Sequence, residues 1–291
     1  KISKLTKLIH LDISNISSVP DSYLTALLAL THLELLDVSY YKTLSDFGIS
    51  IIGKLTNLTR LIFVDNRKIT AKAMNYLTDL TNLNHLSLNS MSNISNDHYF
   101  SSLANLTLLR TKMSEENFKV LKNLTKMVDL SISVLAVINE EFFRYISTMT
   151  LLESLSLRSQ TCCIAFDTLT CCTNLTSLEI DDCFSFYNPT NAIDDGKVKK
   201  IIFFTSEFLI GNDFADVIER LLQLTGLKAL QLRFTRDFNR LAALTALQSL
   251  TLAVPEMTNV QTDDFTQLLT LPNLGSLQIS SPLPSKELKD I

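Results

Sequence analysis

The chain has 291 residues, 46% of them apolar, 19% charged and 53 of them leucine, a composition that supplies a core and excludes a disordered chain. Its 26 basic residues against 30 acidic ones give a net charge of −4, the wrong sign for a protein held to nucleic acid by neutralising phosphates, so no nucleic-acid partner is expected. The least charged run, Leu241 to Pro255, is interrupted by Thr, Gln and Ser and falls short of the ~20 apolar residues of a membrane helix, so no membrane insertion is expected either.

The chain repeats from its start. Leu30-Thr-His-Leu33-Glu-Leu-Leu36-Asp-Val38, Leu55-Thr-Asn-Leu58-Thr-Arg-Leu61-Ile-Phe63 and Leu80-Thr-Asn-Leu83-Asn-His-Leu86-Ser-Leu88 share one frame, L-x-x-L-x-x-L-x-L. Its first positions fall at Leu5, Leu30, Leu55, Leu80, Leu103, Leu124, Met149, Cys172, Asp195, Leu224, Leu244 and Leu271, a mean spacing of about 24 residues. The L-x-L portion alternates like a short strand with one buried face, so neighbouring copies can pair in a parallel sheet.

Helical segments are expected between the strands. Leu44-Ser45-Asp46, Ile69-Thr70, Met113-Ser114-Glu115-Glu116 and Ile138-Asn139-Glu140-Glu141 each place a capping residue after an apolar one, in three of them with acids behind the cap that suit the positive end of a helix. The apolar residue before each cap has a mate five positions on, Leu44 with Ile49, Ile69 with Met74, Met113 with Phe118 and Ile138 with Phe143, the spacing of a hydrophobic staple. Repeat five is short, with Met113 only two residues after Thr111, which demands a tight turn.

Further along, Cys162, Cys163, Cys171, Cys172 and Cys183 crowd one window, in pairs whose adjacency does not suit a tetrahedral zinc site; structural thiols are expected. Ser185 to Gly196, with Pro189, Asn191, Asp194 and Asp195, replaces a helix by turn formers and predicts a protruding loop.

Repeat length and the L-x-x-L-x-L core resemble the leucine-rich repeat family over essentially the whole chain. The resemblance implies an α/β fold, a curved solenoid of about 12 repeats with a parallel sheet on the concave face and helices on the convex face. Residues 1–291 then read as one leucine-rich repeat domain and as a piece of a longer chain. The family's turn Asn or Cys is met only by Asn66 and Cys183; Tyr41, Gln160 and Pro255 are among the residues that replace it, so irregular turns are expected. Leu44-Ser45-Asp46-Phe47-Gly48-Ile49 with Ile52 is similar to the subclass found in substrate receptors of F-box ubiquitin ligases.

No phosphate loop, zinc-protease motif or nucleophile elbow occurs, so no enzyme and no cofactor or metal is expected. His10 and His85 both face the hollow but lie three strands apart, roughly 14 Å, too far to share a metal. Alternation also turns into the hollow a mostly small and polar row, from which Arg158, Glu179, Asp181, Lys200, Ile202, Phe204 and Arg233 stand out as charges with an aromatic, the mixture of interaction surfaces. The same charges could instead pair across neighbouring strands, and Ile62 with Val64 forms a smaller apolar patch.

Three such positions in each of twelve frames give 36, more than the roughly 20 to 30 residues one side of a standard interface uses. The expectation is a monomeric, non-catalytic module binding a protein or peptide on its concave sheet. A substrate receptor of an F-box ligase and an extracellular adhesion or immune receptor ectodomain are the alternatives. A cytoplasmic setting is expected over an extracellular one, because no cysteine-rich caps bracket the array and the sequons at Asn57, Asn105, Asn123 and Asn174 recur as one repeat phrase, Asn-Leu-Thr.

Overall fold

The computed structural model describes residues 2–88, 102–162, 171–181, 200–204, 222, 226–233, 238–253 and 267–280. The chain divides into two compact units, Lys1–Leu135 with Thr148–Leu152, and Ala136–Ser147 with Glu153–Ile291.

The first unit carries β1 (His10–Asp12), β2 (Leu35–Asp37), β3 (Arg60–Ile62), β4 (His85–Ser87), β5 (Leu108–Met113) and, up to Leu135, β6 (Asp129–Ile138), paired in parallel and in chain order. Register sets Leu11, Leu36, Leu61, Leu86, Leu109 and Leu130 side by side. The second unit holds β7 (Ser154–Cys162), β8 (Ser177–Asp181), β9 (Lys200–Phe204), β10 (Ala229–Arg233), β11 (Ser249–Ala253) and β12 (Ser276–Ser280), with the file Leu155, Leu178, Ile201, Leu230, Leu250 and Leu277. Every one of these strands starts five residues after a frame position read from the sequence, as His10 does after Leu5 and Ser276 after Leu271.

Burial follows the frame. Leu30, Leu33, Leu36 and Val38 of the second repeat are buried, as are Leu55, Leu58, Leu61 and Phe63 of the third, while the residues between them on the strands stay half-buried or exposed. The first repeat departs from this, for Leu5 is 55% exposed and Leu11 half-buried, because β1 has a strand on one side only.

Among the described residues the layer behind the strands is helical, mostly through short 3-10 segments rather than α-helices. Two of the expected caps close α-helices: the Ser45 hydroxyl accepts from Phe47 N ahead of α1 (Asp46–Ile52), and Asn139 Oδ1 accepts from Phe142 N ahead of α2 (Glu140–Ile146). Thr70 and Ser114 instead precede 3-10 helices, Ala71–Leu77 and Glu115–Asn123, that their side chains do not cap. All the staple pairs, Leu44 with Ile49, Ile69 with Met74, Met113 with Phe118 and Ile138 with Phe143, are buried. The tight turn of repeat five is present, since Ser114 alone separates β5 from its 3-10 helix. At the end of α1 a Cβ on Gly53 would collide with the Tyr76 carbonyl oxygen of the next repeat, so only glycine fits that approach.

The asparagine two residues after a frame position, which opens the Asn-Leu-Thr phrase at Asn57 and Asn105, has a structural explanation. Asn57 Nδ2 donates to the Thr31 carbonyl at 2.6 Å, Asn82 to Thr56 at 3.0 Å, Asn105 to Thr81 at 2.9 Å and, in the second unit, Asn273 to Thr245 at 2.8 Å. His32 occupies the same frame position in its repeat, with Nδ1 3.1 Å from the Thr6 carbonyl. The phrase's threonines reach back as well, Thr59 to the Glu34 carbonyl, Thr107 to Asn84 and Thr176 to Glu153. The copies Asn57–Thr59 and Asn105–Thr107 thus tie themselves to the preceding repeat at both ends and bury the leucine between.

The turns after the strands are irregular, as the sequence suggests. Asn66 is buried and its Nδ2 donates to the Val38 carbonyl at 3.1 Å; at the equivalent place one repeat earlier, buried Tyr41 sends its hydroxyl to the Pro20 carbonyl at 3.3 Å. Asn15, Tyr40 and Asp65 hold φ at 61°, 57° and 57°, a left-handed residue at the same point of three successive repeats. Cys183 and the Ser185 to Gly196 segment lie outside the described residues.

In the second unit the Phe142 and Phe143 rings pack edge to face with centroids 5.3 Å apart, and buried Cys172 takes the frame position that leucine fills in most repeats. Its thiol lies 3.5 Å from the Ile146 carbonyl as donor, and burial pushes its pKa up to about 11. Cys171 beside it is exposed.

Candidate functional site: the open face of the sheet

Strand alternation sends every second side chain away from the leucines, onto the face not covered by the helical layer. In the first unit one row across this face is His10, Leu35, Arg60, His85, Leu108 and Asp129, and the next is Asp12, Asp37, Ile62, Ser87, Arg110 and Ser131.

These rows divide by charge. On β1 and β2 the aspartates serve the turns: Asp12 Oδ1 accepts from Ser14 N at 2.8 Å and Asp37 Oδ1 from Ser39 N at 2.8 Å. The bonds from Ser14 hold the Asp12 carboxyl below the usual carboxylate range. On β3 to β5 the charge turns positive. Arg60 is exposed, half-buried His85 sits beside it in register, and Arg110 is one strand further, 3.6 Å from the Asp129 carboxylate through Nη2. Partial burial lowers the His85 pKa, and the Arg60 and Arg110 guanidiniums lower it further, with Asp129 opposing them.

Both histidines expected to face the hollow lie on this face, on β1 and β4. The cluster of Arg60, His85 and Arg110 does not stand out in the sequence, where its members are separated by a full repeat. Only the pairing of equivalent strand positions, which the repeat spacing already carried, brings them together.

In the second unit the picked residues fall on consecutive strands. Arg158, Asp181 and Phe204 are register partners on β7, β8 and β9; Ser156, Glu179, Ile202 and Gln231 form the adjacent row; Lys200 stands between Ser177 and Ala229, and Arg233 ends β10. Arg158 is exposed and Glu179 half-buried. The side chains of Asp181, Lys200, Ile202, Phe204 and Arg233 lie outside the described residues. Around them the face is small and polar, with Ser154, Ser177, Thr251 and Gln278 at least partly exposed.

Among the described residues no three His, Cys, Asp or Glu side chains are grouped to hold a metal, and no helix is long and apolar enough to cross a membrane.

No protein-family model and no curated protein matches the chain. Among solved structures it is similar to an internalin (inlF) from Listeria monocytogenes, with 20% identity, TM-score 0.50, and coverage of 99% of this chain and 85% of that one. It is similar to TLR13 in its complex with ssRNA13, with 16% identity, TM-score 0.51, and coverage of 97% and 53%. A TDR receptor gives 15% identity, TM-score 0.54, and coverage of 96% and 48%. The chain therefore spans about half the length of the last two. At such identities the likeness is one of fold, and the fold is that of leucine-rich repeat proteins.

Proposed function

We propose that the chain is a non-catalytic recognition module that binds a protein or peptide on the open face of its parallel sheet, its repeats forming one curved array of about twelve. The observation that carries this reading is the division of labour within the strands of the first unit: one set of positions holds an unbroken file of leucines, while the opposite set varies from repeat to repeat in charge and size. A face held by buried leucines and back-reaching asparagines is preorganised, so binding costs little ordering entropy.

Arg158, Glu179, Asp181, Lys200, Ile202, Phe204 and Arg233 are the contact strip proposed for the second unit. Nucleic acid is not part of the reading, since the chain is net negative and aspartates share the face. The narrower role in an F-box ligase draws on Leu44 to Ile49, which packing already explains: Leu44 and Ile49 are buried, and a Cβ on Gly48 would meet Leu44 Cδ1 at 2.5 Å. An extracellular role draws on the sequons, but Asn57 and Asn105 engage in the ladder the amide nitrogens that a glycan would occupy. A cytoplasmic, monomeric module is the preferred form.

Photo-crosslinking tests the reading. A crosslinker placed at Ser131 or Ser156, on the open face, is expected to trap the partner, and one at Lys54 or Lys72, on the helical side, is not; trapping only from the helical side overturns the proposal. Charge reversal of Arg158, Lys200 and Arg233 is expected to weaken capture without unfolding the chain.

A further inference from the structure

We propose that the open face of the first unit is a docking strip for an acidic peptide segment with interspersed apolar residues, built from Arg60, His85 and Arg110 with Leu35, Ile62 and Leu108 beside them. This rests on the reading of the open face as the binding surface and specifies the partner's chemistry.

The geometry is a row and a half. Leu35, Arg60, His85 and Leu108 stand side by side on β2 to β5, so an occupant crossing the strands meets an apolar side chain, two nitrogen-bearing ones and another apolar one over roughly 14 Å, the reach of about four extended residues. Ile62 and Arg110 lie in the neighbouring row, diagonal to His85. All three apolar residues are half-buried, which leaves part of each available for contact. Arg60 is exposed and has no ion pair among the described residues, whereas Arg110 is held by Asp129 at a loose 3.6 Å. Two forked cations two strands apart, roughly 10 Å, suit carboxylates, and the apolar residues flanking them suit aliphatic side chains between those carboxylates.

Charge complementarity favours a protein segment over a nucleic acid. Asp37 on β2 and Asp129 on β6 bound the strip on both sides, so a continuous polyphosphate would run onto carboxylates while a short acidic stretch would not. His85 adds a pH response. It faces Arg60 from β3, Arg110 from β5 and Asp129 from β6, and its depressed pKa keeps it neutral near pH 7. Burial is the first cause of that depression and the two guanidiniums the second; carboxylates seated on the arginines offset the guanidiniums' part, so binding takes up a proton and tightens as the pH falls below neutrality.

The test is fluorescence anisotropy of the full chain with a labelled peptide, Gly-Glu-Leu-Glu-Glu-Leu-Glu-Gly, against its glutamine analogue and a single-stranded RNA octamer. The acidic peptide is expected to bind about tenfold more tightly than the other two, and Arg60→Ala with Arg110→Ala to remove about tenfold of that affinity, while Lys54→Ala with Lys72→Ala, the same charge change on the helical side, does not. Lowering the pH from 7.5 to 6.0 tightens binding, and His85→Gln flattens that response. Absence of peptide binding, binding indifferent to Arg60 and Arg110, or preference for RNA overturns the inference. If any of these occurs while open-face crosslinks to the partner persist, the broader reading stands and only this strip is lost; if the crosslinks fail too, both fall.

Discussion

The carboxylate of Asp21 closes the start of the next repeat's helix at Ser45: its Oδ2 accepts from Ser45 N at 3.0 Å, from the Ser45 hydroxyl at 2.5 Å and from Gly48 N at 3.2 Å. Asp46 repeats the arrangement one step on, taking Thr70 N and the Thr70 hydroxyl at 2.7 Å each. A free amide at a helix start is thereby satisfied by the repeat before it, which makes neighbouring repeats fold together. Asp21→Ala is expected to cost about 1 to 2 kcal/mol in urea denaturation, more than an isolated surface change. An unchanged midpoint would show that water replaces the bond at no cost.

The asparagine ladder makes a similar claim at an exposed site. Asn57 and Asn105 each donate to a carbonyl of the preceding repeat. Asn57→Ala and Asn105→Ala are each expected to lower stability by about 0.5 to 1.5 kcal/mol, and Asn57→Asp to do no better than alanine because it lacks the donor. Equal stability of all three forms would reduce the ladder to coincidence.

Position in the file of leucines decides the cost of truncation. Leu61 is fully buried between β2 and β4, whereas Leu11 is half-buried on a strand paired on one side. Leu61→Ala is expected to cost about 2 to 5 kcal/mol and Leu11→Ala less than half as much. Equal losses at the two sites, measured by chemical denaturation, would contradict the burial gradient.

His85 links stability to pH as well as to binding. Its pKa in the fold lies below the unfolded value of 6.5, through partial burial and then Arg60 and Arg110. Below pH 6.5 the unfolded chain therefore takes up this proton first, and stability falls until the pH has passed the folded value. The loss between pH 7.5 and 5.5 is expected to be smaller in His85→Gln than in the parent chain; an identical loss would mean that other groups govern the acid limb.

Thiol chemistry separates two adjacent residues. With Cys162, Cys163 and Cys183 changed to serine, Cys171 is expected to react with a disulfide reagent at pH 8 within the mixing period. Cys172, buried and with its thiol pushed up to about 11, is expected to react only on unfolding. Simultaneous labelling of both would place Cys172 outside the core.

What could be read in advance and what could not follows from range. The strand positions were legible because the frame is local: His10, Leu35 and Arg60 each follow their frame leucine by the same five residues. The choice between α and 3-10 geometry was not, since Ser45 and Ser114 both precede acids, yet only Ser45 caps an α-helix. Repeat length does not decide it either, since α1 and the 3-10 helices Asp21–Ala29 and Ala71–Leu77 all lie between strands that start 25 residues apart. The Asn-Leu-Thr phrase was visible as recurrence, but its purpose lies in carbonyls 24 to 28 residues away. The arginines of β3 and β5 are a full repeat from His85 in sequence, and only strand pairing places them around it.

The left-handed residues Asn15, Tyr40 and Asp65 recur every 25 positions, each where the chain leaves a strand. Because the reversal falls at the same phase in three successive copies, the stretch from Ile16 to Tyr40 behaves as an interchangeable cassette: deleting it joins one such turn to the residue that follows the next. A gain or loss of any other length has to be taken up behind the strands, as it is between β5 and β6, which start 21 residues apart and keep Leu109 beside Leu130; a shift of one residue within a strand would turn its leucine outward. From Asn15 to Asp65, removal or duplication of a whole 25-residue unit is therefore the change that leaves every turn in place, a constraint written by three backbone angles.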